Sequence, residues 1–126
     1  MDWVVGLRFF SNEHNKDKIE DMLSREQAGW ESTYLEVQCY RLDTLFSKHG
    51  ITRVDFLALS TEGHEMVALQ SIKWDAVEIY LIMVTVNEHT ADSIDAFLRS
   101  KGFEHKALGV DGRDRMYVSH AVPAEP

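Results

Sequence analysis

Val54–Ser60 (VDFLALS) and Val77–Val86 (VEIYLIMVTV) decide the fold of this chain. Each is a nearly continuous apolar run, with no alternation that would leave one face in water. Strands of that kind are buried on both faces, which is the habit of parallel sheets covered by helices. The intervening sequence agrees. Gly63 sits at the turn into a helix whose Met66, Leu69 and Ile72 form one stripe. After the second strand, Thr90 caps another helix that carries Ile94, Phe97 and Leu98, and Gly102 closes it.

Outward from this unit the punctuation stays regular. Upstream, residues 34–40 (YLEVQCY) alternate as a half-buried strand. Asp43 then caps a short helix whose Leu42, Leu45 and Phe46 point inward, and Gly50 ends it. Residues 3–10 (WVVGLRFF) have strand composition. From Ser11 or Asn12 a helical pattern repeats Ile19, Met22 and Leu23 on one face to about Gln27. Downstream, Phe103–Leu108 and Arg115–Ser119 flank an Asp111-Gly112 turn, an antiparallel hairpin. The expectation is a single domain over residues 1–122 with a frayed tail at 123–126.

Composition narrows the partners. A hydrophobic content of 44% with 27% charged residues is that of a folded globular chain. A net charge of −8, spread along the sequence, disfavours nucleic acid, whose phosphates are held by Lys and Arg. No run approaches the ~18 apolar residues of a membrane span, and Asp2 stands where a signal peptide would be basic. A cytoplasmic location is expected. The single cysteine, Cys39, permits no internal disulfide and reads as a small buried strand residue. Trp3, Trp30 and Trp74 read as packing residues, because no basic groove accompanies them.

The stretch YLEVQCYRLDTLFSKHGITRVDFLALSTEGHEMVALQSIKW resembles the second half of FkbM-type methyltransferases. Leu42-Asp43, Asp55-Phe56-Leu57, Glu62-Gly63, Glu65 and Leu69 fit that family's pattern, and the helix over 90–101, Gly102-Phe103 and the closing hairpin match its ending. The resemblance covers about residues 34–119 and extends weakly back to Val5-Gly6-Leu7. It implies an α/β fold: a partial Rossmann-like methyltransferase sheet, with parallel strands flanked by helices and a C-terminal antiparallel hairpin. In the intact domain the strand order would be 3-2-1-4-5-7-6. Residues 54–60 would be strand 4, 77–86 strand 5, and the hairpin strands 6 and 7.

Strands 1 to 3, which in the family hold S-adenosylmethionine through a glycine-rich loop and a ribose-reading acid, have no counterpart. The seven glycines, at 6, 29, 50, 63, 102, 109 and 112, contain no substitute. No cofactor is therefore expected on this chain. The resemblance also implies Asp at the end of strand 4 and Glu at the end of strand 5. Here the residues are Ser60, followed by Thr61, and Thr85, followed by Val86. A hydroxyl is no general base near neutral pH without activation, and no hard anionic metal ligand. No catalytic residue is assigned.

A degenerate ligand site, if kept, would lie at the strand ends and use Ser60, Thr61, Glu62, Gly63, His64 and Thr85. The plainer reading of its acidic residues is that Glu62 and Glu65 favour the positive end of the helix dipole, with Gly63 permitting the turn. None of the six histidines forms HExxH, and no metal is expected.

Two functions fit this reading. One is an inactive, oligomeric binding module. The other is a fragment of an S-adenosylmethionine-dependent methyltransferase, active only with an N-terminal half. Strand 54–60 would lose its neighbour on one side, so a homodimer through strand 54–60 and/or residues 1–10 is expected.

Overall fold

A computed structural model describes residues 24–25, 27–29, 38–106 and 112–122. Along the chain these form α1 (Leu42–Lys48), β1 (Arg53–Leu59), α2 (Glu65–Gln70), β2 (Glu78–Thr85), α3 (Ala91–Ser100), β3 (Phe103–Lys106) and β4 (Asp114–Ser119). Ser24, Arg25 and Gln27 are helical, as expected of a helix running to about Gln27. The expected strand at 3–10, the start of that helix, the hairpin turn through Asp111 and the tail at 123–126 lie outside the described residues.

The sheet order is β1-β2-β4-β3. β1 runs parallel to β2, with Leu57 on Ile82 and Leu59 on Val84. β4 inserts antiparallel between β2 and β3, with Ile82 on Tyr117 and His105 on Tyr117. In the numbering implied by the resemblance this is 4-5-7-6, the order expected of the domain's second half. The register puts Leu57, Leu59, Ile82, Val84, Tyr117 and Phe103 on one face of the sheet. Leu69 of α2 and Ile94 and Leu98 of α3 join the same core, and all three are fully buried. Each such side chain contributes roughly 1.5–3 kcal/mol relative to exposure.

Trp74 fixes the junction of α2 and α3. Its indole Nε1–H donates to the Leu69 carbonyl at 3.1 Å, and its ring meets the edges of Phe97 and Phe103, both at 5.9 Å. That is a packing role, as expected for this tryptophan.

Three local expectations need correction. Asp43 does not cap α1. It lies inside the first turn, bound to Arg41 and to the Thr44 N–H. Ser71, far along the chain, takes the orphan donors instead: its Oγ accepts from the Leu42 N–H and its carbonyl from the Asp43 N–H, both at 3.0 Å. The other end of α1 closes as expected at Gly50, whose φ of 64° allows Ile51 N–H to reach the Phe46 carbonyl at 2.8 Å. Cys39 is exposed, and residues 38–40 form no strand. Residues 34–37 of the expected strand lie outside the described residues.

Thr90 occupies the N-cap of α3, yet its hydroxyl faces backwards and accepts from the Asn87 N–H at 3.0 Å. Asn87 Oδ1 takes the N–H groups of His89 and Thr90 at 2.8 and 3.0 Å, which shapes the turn before the helix, and no side chain caps α3 itself.

α3 is latched to the hairpin through Asp95. The Tyr117 hydroxyl donates to Asp95 Oδ1 at 2.9 Å, and Arg99 Nε donates to Oδ2 at 2.7 Å. Arg99, and then Tyr117, hold the Asp95 carboxyl below its usual value of 3.8. Because folding lowers this pKa, the stabilisation is complete above about pH 4 and is lost as pH falls through the folded value. Two outcomes follow, read by urea denaturation. Tyr117→Phe should cost about 1–2 kcal/mol near neutral pH. Asp95→Asn should lose stability near pH 7 and show a flatter decline than the parent chain below pH about 4.

Candidate functional site

Parallel pairing brings the two strand ends to one side of the sheet. Leu59 lies on Val84, so the next residues along, Ser60 and Thr85, stand level at the mouth. Open α/β sheets place ligands at such carboxyl ends. Thr61, Glu62, Gly63 and His64 connect β1 to α2, and all six expected site residues therefore gather at this rim.

The turn owes its shape to two residues in the left-handed region. Glu62 has φ 57° and Gly63 φ 107°. For a non-glycine residue that conformation costs roughly 1–2 kcal/mol and needs outside support. Glu65 supplies it. Its side chain is buried at 2% exposure, with Oε1 accepting from the Thr61 N–H at 2.7 Å and Oε2 from the Gly63 N–H at 3.1 Å. The expectation that Glu65 merely sits at the positive end of the helix dipole understates it: the carboxylate closes the loop onto the helix. His64 is half-buried at the helix N-cap, and its carbonyl accepts from Ala68 N–H at 2.9 Å. The Thr61 hydroxyl is shielded from solvent and, among the described residues, has no hydrogen-bond partner.

Thr85 is not alone on its strand end. Its hydroxyl donates to Asp114 Oδ1 at 2.7 Å, across the β2–β4 pairing. A carboxylate thus stands beside the position where the family resemblance implies a Glu, delivered by the neighbouring strand. Sequence reading missed Asp114 and the role of Glu65. An Asp111-Gly112 turn signals a hairpin, but only the strand register shows which hairpin residue meets Thr85. Among the described residues, no three His, Cys, Asp or Glu side chains converge on a point that could hold a metal ion. No helix there is long and apolar enough to cross a membrane.

A mixed sheet ordered β1-β2-β4-β3, flanked by helices and with its polar residues at the parallel strand ends, defines a methyltransferase-like α/β domain. The sequence model of the methyltransferase FkbM domain matches residues 3–105, and the chain belongs to that family. The match starts well before residue 34, where the quoted resemblance begins, and ends within β3. No curated protein and no solved structure matches the chain.

Glu65→Gln replaces one carboxylate oxygen with an amide donor that would face a backbone N–H. It should lower stability by about 1–3 kcal/mol and broaden the amide resonances of residues 61–63. Unchanged stability and unchanged amide shifts would remove Glu65 from this role.

Proposed function

We propose that these 126 residues form a methyltransferase-like module of the FkbM family that does not hold S-adenosylmethionine by itself and acts as an oligomeric binding module. Its ligand site is the mouth formed by Ser60, Thr61, Glu62, Gly63, His64 and Thr85. The supporting observation is the state of the two strand-to-helix turns at that mouth. A cofactor with anionic and ribose groups is held in such folds by free backbone N–H groups after a strand. Here the turn after β1 gives its Thr61 and Gly63 N–H groups to Glu65, and the turn after β2 gives its His89 and Thr90 N–H groups to Asn87. Both turns are closed on themselves. The residues at this mouth do not fit the cofactor.

Ser60 and Thr85 offer neutral hydroxyls, and Thr85 is already oriented by Asp114. Such a rim suits hydrogen bonding to a polar ligand. The second reading, a fragment of an S-adenosylmethionine-dependent methyltransferase completed by an N-terminal half, draws on the Glu62-Gly63 turn and on Asp114, which restores a carboxylate to the rim.

Calorimetric titration of the chain with S-adenosylmethionine and with its demethylated product tests the proposal. No binding in the micromolar range is expected, and micromolar affinity would overturn it. A Ser60→Asp, Thr85→Glu double variant should gain no methyl transfer on its own, because the cofactor is still not held. Measurable transfer from that variant alone would overturn both readings, since each leaves the cofactor unheld without an N-terminal half.

A further inference from the structure

Among the described residues β1 pairs with β2 alone and forms one edge of the sheet. It is an unusual edge. Phe56 is 50% exposed, Ile51 just before the strand is 37% exposed, and no proline or bulge interrupts the backbone. Edges of this composition pair with another strand. The charged residues, Arg53 and Asp55, bind each other at 2.9 Å, yet their side chains remain 61% and 69% exposed. Arg53 also lies 5.8 Å from the ring of Tyr80 on the neighbouring strand β2.

We propose that β1 docks antiparallel on β1 of a second copy of this chain, with Val54 at the two-fold axis and Arg53 opposite the second copy's Asp55. The inference rests on the oligomeric part of the proposed function and specifies it. A two-fold axis normal to the sheet preserves its faces, so residues directly opposite must share a face, and only registers centred on a residue are allowed. Centring on Arg53 or on Asp55 sets like charges against each other. Centring on Phe56 sets Arg53 against Leu59 and Asp55 against Leu57, leaving both charges beside leucines. Centring on Val54 alone matches Arg53 with Asp55 twice, and it also matches Thr52 with Phe56 and Ile51 with Leu57. Opposite charges directly across a pair are favourable and like charges unfavourable. This register also stops short of Ser60, so the strand-end mouth stays open in the dimer.

Two measurements on the full chain test it. In a Cys39→Ser background, Val54→Cys should form an intermolecular disulfide on mild oxidation. Directly opposed antiparallel residues lie about 4.5–5.5 Å apart at Cα, within disulfide reach. Phe56→Cys in the same background should not. Sedimentation should show Arg53→Asp and Asp55→Arg each weakening the dimer by about tenfold or more, and the double reversal restoring it. Both charges are exposed, so these variants fold even if a cysteine at 54 does not. A monomer at all concentrations, cross-linking at 56 in place of 54, or charge reversals without effect would overturn the proposal. These readings are independent of the cofactor titration. A dimer that binds S-adenosylmethionine sinks the functional proposal alone, and a monomer that does not bind it sinks this one alone.

Discussion

The parallel pairing of β1 on β2 carries the rest of the molecule. With Leu57 on Ile82 and Leu59 on Val84, one face of the sheet becomes a continuous apolar surface, and α2 and α3 have something to cover. The same register levels Ser60 with Thr85. A slip by one residue would turn the buried row towards the opposite face and separate the two hydroxyls. Core and candidate site are therefore set by one contact, and neither can be altered without the other.

The hairpin completes what that pair begins. β4 runs back beside β2, placing Tyr117 under α3 and Asp114 beside Thr85. One end of β4 thus serves packing and the other serves the mouth. Asp95 ties Tyr117 and Arg99 together and so joins α3 to the strand that also carries Asp114.

Much of this architecture was legible in the sequence. Val54–Ser60 and Val77–Val86 announce two parallel strands by composition, although burial on both faces does not hold for β1, where only Leu59 is buried and Phe56 is exposed. Gly50 marks the end of α1 because a left-handed residue must follow there. The strand order 4-5-7-6 came from the family resemblance, which local pattern could not supply. The features that escaped are those made by distant residues. Ser71 caps α1 from far along the chain, so Asp43 looked like the cap. Alternation around Cys39 suggests a buried strand residue, yet Cys39 is exposed and residues 38–40 are not in a strand. At the site, Ser60, Thr61, Glu62, Gly63, His64 and Thr85 could be named from their places at strand ends. Asp114 could not, since its role depends on a cross-strand register, nor could the inward turn of Glu65, which depends on two left-handed residues before it.

Residue-resolved hydrogen exchange probes the central β1–β2 contact most directly, because amides of a stable sheet exchange only on global opening. The slowest exchange is expected at Ile82, Val84 and Tyr117, with the β1 amides that face β2 close behind. Fast exchange across β1 and β2, with protection confined to the helices, would contradict a sheet built on this pair.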